Sequence, residues 1–187
     1  MLTTLPIPQE RGLHFSKQVN QDTIQTLSKS ILDINTADEQ LTKIYKVYDL
    51  AYTPKPIQIY IDSYGGQLYQ CFGLLSIMEA SKVPIHTIVT GCAMSCGFMI
   101  AIHGHKRFGY EHSTYLYHQV SSGVIGKAKD IEEEFIEVTR LQKLLEEMVL
   151  RKTKISKDKL EKVYKTKKDW YINTKQALEL KIIDEKL

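Results

Sequence analysis

Two glycine-bearing turns, each following a short β-branched run and each leading into a helical stretch, constrain this chain more than any other feature. Ile57-Gln58-Ile59-Tyr60-Ile61 alternates at the period of a strand, and Asp62-Ser63-Tyr64-Gly65-Gly66 follows as its turn. From Gln67 to Ala80 apolar residues recur at helical spacing, which predicts an inward face of Leu68, Phe72, Leu75 and Met78. Val83-Pro84 punctuates, Ile85–Thr90 reads as a second strand that Gly91 breaks, and a helix of small and apolar residues follows from about Ser95 to Ile102. A third strand is expected over Thr114–His118. Strands alternating with helices predict an α/β fold with a mainly parallel sheet. Right-handed crossovers then place both turns at one edge, the carboxyl ends of the strands.

On either side of these units the pattern is helical. Residues 1–12 carry Pro6, Pro8 and Gly12 without periodicity and read as an arm, with a short strand at Leu13–Phe15. Asp22 is placed to cap a helix bearing Ile24, Leu27, Ile31 and Ile34, and a second helix is expected from Asp38 to Ala51, stopped by Thr53-Pro54-Lys55-Pro56. Lys127–Lys152 reads as one long helix with a stripe of Ile131, Phe135, Val138, Leu141, Leu145 and Met148. Acids crowd its start and bases its end, which complements the helix dipole. Periodicity alone leaves open whether that stripe packs on its own domain or on a partner.

Bulk properties narrow the function. A net charge of +3 on 187 residues, with bases interleaved among acids, gives no reason to expect nucleic acid. Three cysteines, Cys71, Cys92 and Cys96, make an odd count without framework spacing, as in a reducing compartment. Cys92 and Cys96 lack the second pair or histidine spacing of a metal site, so no metal is expected. The most apolar stretch, Ile85 to Ile102, is interrupted by His86, Thr87, Thr90 and Ser95 and makes a poor membrane span. The front has no basic region followed by an apolar core, so neither a signal peptide nor a membrane anchor is expected and the chain is read as cytoplasmic.

The chemistry gathers at the turns. Ser95 stands where a strand gives way to a helix, in Gly91-Cys92-Ala93-Met94-Ser95-Cys96-Gly97. A serine hydroxyl needs a base beside it and donors for the oxyanion it creates. Amides at the start of the following helix, beginning with that of Cys96, point free N–H groups at such a charge. The plainer alternative is that Ser95 caps the helix. Gly65-Gly66 is either an ordinary turn or a second source of amides. Of six histidines, His118 ends an apolar strand at the required edge and is the best base, whereas His14, His86, His103, His105 and His112 lie elsewhere in the pattern. Asp130, Asp158, Asp169 and Asp184 all remain open as the acid that orients it.

Taken in order, these segments resemble the ClpP family, the proteolytic subunit of the Clp protease. The resemblance runs from Pro56 to Leu187. It is carried by Ile59-Tyr60-Ile61-Asp62-Ser63-Tyr64-Gly65-Gly66, the Ser95 segment, Tyr117-His118-Gln119, Gly126–Ile131 and Ala177–Asp184. It implies a ClpP/crotonase-like spiral of ββα units over residues 21–187, with a protruding handle at about 119–152 and a divergent arm at 1–20. It also implies a serine endopeptidase with Ser95 as nucleophile, His118 as base and Asp169 as acid. Gly66 and Cys96 would be the oxyanion donors, and Gly65 and Leu68 substrate contacts. The family's handle helices interleave between two stacked heptameric rings, a homo-oligomer whose chamber receives unfolded polypeptide from an AAA+ unfoldase. Hydrolysis there needs no metal or nucleotide in this subunit. Tyr64 stands where the family usually has proline, and Val120-Ser121-Ser122-Gly123 replaces its usual Pro-Leu-Gly-Gly-like segment. A non-catalytic ring subunit and a crotonase-type acyl-CoA enzyme are the alternatives; the intact Ser-His-Asp set favours the peptidase.

Overall fold

The computed structural model describes residues 10–187, so positions 1–9 of the expected arm lie outside the described residues. The short strand expected near Leu13 is β1 (Gly12–Phe15), paired parallel with β2 (Ile57–Ser63). Between them runs a single helix, α1 (Gln21–Val47), where two were expected. Its cap is Asn20 rather than Asp22: Asn20 Oδ1 accepts the Thr23 N–H at 3.0 Å, and Thr23 Oγ1 accepts the Asn20 N–H at 3.1 Å. Asp38, read as the start of a second helix, lies inside the first. The Arg11 guanidinium donates to its two carboxylate oxygens at 2.7 and 2.5 Å, and the Tyr52 hydroxyl donates at 2.6 Å. A residue that favours caps by propensity is thus held mid-helix by tertiary partners.

The sheet contains the parallel order β1-β2-β3-β4-β7, with β3 at Ile85–Met94, β4 at Lys106–Gly109 and β7 at Glu185–Lys186. Gly91 does not end β3, contrary to expectation. The Asp62 carboxylate accepts the Cys92 N–H at 3.0 Å and fills the space a Gly91 side chain would take. Gly91 makes room for that carboxylate and marks a change of partner. Before it, His86–Val89 pair with β4; after it, Cys92–Met94 pair with β5 (Thr114–Tyr117). β4 lies where no strand is expected; four residues are too few for a periodic signal. β6 (Trp170–Asn173) pairs antiparallel with β5.

Helices cover the sheet: α2 (Leu68–Ala80), α3 (Cys96–Ile102), α4 (Ala128–Lys152), α5 (Lys157–Thr166) and α6 (Thr174–Glu179). The inward face of α2 is Cys71, Leu74, Leu75 and Met78, with Leu68 and Phe72 only partly covered, so it is rotated slightly from the expected one. Ile57, Ile59 and Ile61 of β2 and Phe98, Ile100 and Ile102 of α3 are fully buried at the centre. Each contributes roughly 1.5–3 kcal/mol relative to exposure. The long helix α4 divides in two. Leu141, Leu145 and Val149 are buried, whereas Phe135 is 68% and Ile136 61% exposed, with Ile131 also in solvent. Among the described residues no helix is long and apolar enough to cross a membrane.

Candidate active site

Parallel pairing sends β2, β3 and β5 out of the sheet at the same edge. Gly65-Gly66 follows β2, Ser95 follows β3 and His118 follows β5. β6 is antiparallel to β5, so its beginning reaches the same edge. The last registered pair is Tyr117 with Trp170, and the next position outward aligns His118 with Asp169.

Ser95 has φ 54° and ψ −120°, a left-handed setting rare for a residue with a Cβ. Holding it there costs about 1–3 kcal/mol, and such strain persists only where surroundings over-determine it. They do so here. The Ser95 N–H donates to Leu116 O of β5 at 3.0 Å, its carbonyl accepts the Met99 N–H of α3 at 3.2 Å, and Gly65 presses from the third side. A Cβ on Gly65 would stand 2.6 Å from Met94 O and 2.8 Å from Ser95 Cβ. Ser95 makes no side-chain capping bond to α3, so the capping alternative does not describe it.

Gly66 is fixed by a neighbour that sequence reasoning passed over. The Val19 N–H donates to Gly65 O at 2.8 Å and the Gln67 N–H donates to Val19 O at 2.8 Å. This bridge uses the Gly65 carbonyl and the Gln67 N–H and leaves the Gly66 N–H out. The Cys96 N–H is a first-turn amide that α3 itself cannot use. The Cys96 thiol donates to Gly66 O at 3.2 Å, coupling the two turns. No local pattern around Val19 could have pointed to this role.

Ser95, Cys96, Gly66, Leu68 and His118 line one cavity, walled further by Met99 and Leu145. Gly65 stands behind Ser95 rather than in the cavity wall. Gln142 of α4, also unforeseen, accepts the Val120 N–H at 2.8 Å and anchors the wall beyond His118. Four of the other histidines are occupied elsewhere, and His112 is exposed outside the cavity wall. His14 stacks on Tyr60, His86 tilts against Phe108, His103 meets Met99 O, and His105 accepts the Ile85 N–H. Asp184 is engaged by the Arg107 guanidinium and Asp130 by the Lys127 N–H, which leaves neither facing His118. Asp169 is exposed and lies outside the cavity wall. Among the described residues no hydrogen bond joins Ser95 to His118 or His118 to Asp169.

A strained serine at a strand-to-helix turn, beside a histidine and two unspent amides, is an arrangement that can attack and stabilise an acyl group. The chain is similar to known proteins over most of its length. The model of the family described as Clp protease matches residues 8–186. The ATP-dependent Clp protease proteolytic subunit 2 of Treponema pallidum (strain Nichols) is 30% identical over 164 residues, covering 87% of this chain and 81% of that protein. The ATP-dependent Clp protease proteolytic subunit 1 of Prochlorococcus marinus subsp. pastoris is 28% identical over 178 residues, covering 94% of this chain and 83% of that protein. With a match from one end of the described fold to the other, the chain belongs to the Clp protease family.

Proposed function

We propose that this chain is a serine endopeptidase acting on peptides or unfolded polypeptides inside an oligomeric chamber. The observation that carries the reading is the strained Ser95 facing one cavity with His118 and with the Gly66 and Cys96 turns. Ser95 Oγ attacks the scissile carbonyl while His118 takes its proton. The oxyanion is met by the Gly66 and Cys96 amides, and His118 then returns the proton to the leaving amine. Asp169 holds the imidazolium; the β5–β6 register carries its backbone to the neighbouring position, and its carboxylate turns inward to serve. Leu68 receives an apolar substrate side chain, and Gly65 keeps Ser95 in place.

The spiral architecture and the handle at about 119–152 belong to this proposal, as do stacked heptameric rings. The exposed apolar half of α4 supports a face that another copy covers. An AAA+ unfoldase is the partner that would deliver folded substrates. A non-catalytic ring subunit is the second reading, favoured by the unjoined, exposed Asp169.

The test measures the mass of the native particle together with peptide cleavage and fluorophosphonate labelling. A large particle that is labelled at Ser95, cleaves peptide, and loses both activities in Ser95→Ala supports the peptidase. Asp169→Asn should then slow cleavage by roughly 10⁴-fold, as for the acid of such triads. A large particle with no labelling supports the non-catalytic subunit, and a monomer without cleavage refutes both.

A further inference from the structure

Cys96 is the residue after the proposed nucleophile, is 3% exposed, and lines the Ser95 cavity. Directly behind it, on the first turns of α2, lies Cys71, fully buried. The Cys71 thiol donates to Cys96 O at 3.6 Å, which places it against the backbone of the nucleophile turn. The Cys96 thiol meanwhile bonds Gly66 O. We propose that Cys71 and Cys96 form an oxidant-responsive dithiol at the reacting centre, which a hydroperoxide closes to a disulfide and a small thiol reopens.

Access sets the order of events. Cys96 faces the cavity, whereas Cys71 sits behind it in the core. The neighbouring Cys71 side chain lowers the Cys96 pKa against the opposing effect of burial, which favours the nucleophilic thiolate. The Cys71 thiol is pushed the other way, by its bond to Cys96 and by burial. The Cys96 sulfur attacks one peroxide oxygen and the O–O bond breaks. Hydroxide leaves and takes up the Cys96 proton as water, and Cys96 becomes a sulfenic acid. The Cys71 sulfur then attacks the Cys96 sulfur, the S–O bond breaks, and a second hydroxide leaves with the Cys71 proton as water. Two thiols are oxidised to one disulfide and one hydrogen peroxide is reduced to two waters. Two equivalents of a small thiol reverse the change.

The switch acts through the oxyanion side of the site. A disulfide removes the S–H that holds Gly66 O and draws Cys96, whose amide is the other donor, toward α2. This consequence rests on the peptidase reading; the dithiol chemistry does not. Cys92 is an internal control. It is buried, lies outside the cavity wall, and burial together with its bond to Asp62 pushes its thiol up to about 11.

The experiment exposes the assembled wild-type chain to hydrogen peroxide, alkylates free thiols under denaturing conditions, and maps peptides by mass. The expected product is a Cys71–Cys96 cross-linked peptide pair, lighter by two hydrogens, reversed by dithiothreitol. It is absent in Cys71→Ala and in Cys71→Ser and retained in Cys92→Ala. In parallel, fluorophosphonate labelling of Ser95 should fall on the order of tenfold or more on oxidation, as when one oxyanion donor is lost, and return on reduction. Free thiols at both positions after peroxide, or Cys96 driven to sulfinic acid with Cys71 untouched, overturn the dithiol. A cross-link that leaves labelling unchanged overturns the switch. A cross-link in a protein that never labels when reduced upholds the dithiol and removes the peptidase reading instead.

Discussion

Replacing Gly65 with alanine tests whether the oxyanion turn is built by close approach to Ser95. Gly65 has φ 95°, which a side chain rarely adopts, and the added Cβ would lie 2.6 Å from Met94 O and 2.9 Å from the Cys96 nitrogen. Both are backbone atoms and cannot swing away as a side chain would. Strain of about 1–2 kcal/mol for the backbone setting adds to about 1–3 kcal/mol for forcing an extra carbon into a packed site. The expected loss is therefore about 3 kcal/mol, on the order of 6–12 °C in melting temperature for a chain of this size. The backbone must move by a sizeable fraction of an ångström, and a displacement of about 1 Å costs on the order of 100-fold in rate. Gly73 in α2 is the matched control, since a Cβ there meets nothing within 4 Å. Gly73→Ala should raise stability by up to about 1 kcal/mol through helix propensity and leave cleavage unchanged. Thermal unfolding and peptide cleavage at one fixed protein concentration read both variants. Wild-type melting and cleavage in Gly65→Ala would refute the packing argument.

Two further perturbations address the frame. His103 is buried against Glu79, Arg151 and Lys152, and burial lowers its pKa to about 4. The unfolded chain therefore takes up this proton first, near the ordinary 6.5, so stability should fall as pH drops from about 6.5 toward 4, by about 3 kcal/mol in all. Denaturant midpoints across that range should flatten in His103→Leu, and an unchanged slope would exclude His103 as the source. Arg11→Met should cost about 3–5 kcal/mol, because it leaves Asp38 buried and charged. The double variant Arg11→Met/Asp38→Leu should recover most of that loss in chemical denaturation, and its failure to do so would mean that Arg11 acts through packing alone.

The sequence was most readable where structure is local. The alternation in Ile57–Ile61, the stripe of α4 and the glycine turn before α2 emerged almost as expected because each depends on neighbours a few residues away. What escaped notice depends on distant partners. Asp38 looks like a helix start until Arg11, 27 residues earlier, is seen to neutralise it. Gly91 looks like a strand break until Asp62, 29 residues earlier, is seen to occupy its missing side chain. Periodicity left four acids open, because the nearness of Asp169 to the end of β5 depends on the pairing of two four-residue strands. Val19 has no chemical signature, and its contribution lies wholly in its backbone.

The two sides of the candidate site are held very differently, and that decides how each responds to disturbance. The nucleophile side is rooted in the core: Ser95 is tied to Leu116, Gly65 is wedged against Met94, and Val19 bonds either side of Gly66. Its strained geometry survives because several independent elements would have to move together to release it. The proton-transfer side has fewer ties. His118 is half-buried at the end of a four-residue strand, Asp169 is exposed at the start of another, and residues 121–127 beyond His118 are exposed up to α4. Gln142 of α4 bonds that wall at Val120, and Glu134 of α4 accepts from Ser122 within the exposed run. In the proposed peptidase the Gly66 and Cys96 turns are thereby fixed by folding, while His118 and Asp169 are held by fewer ties.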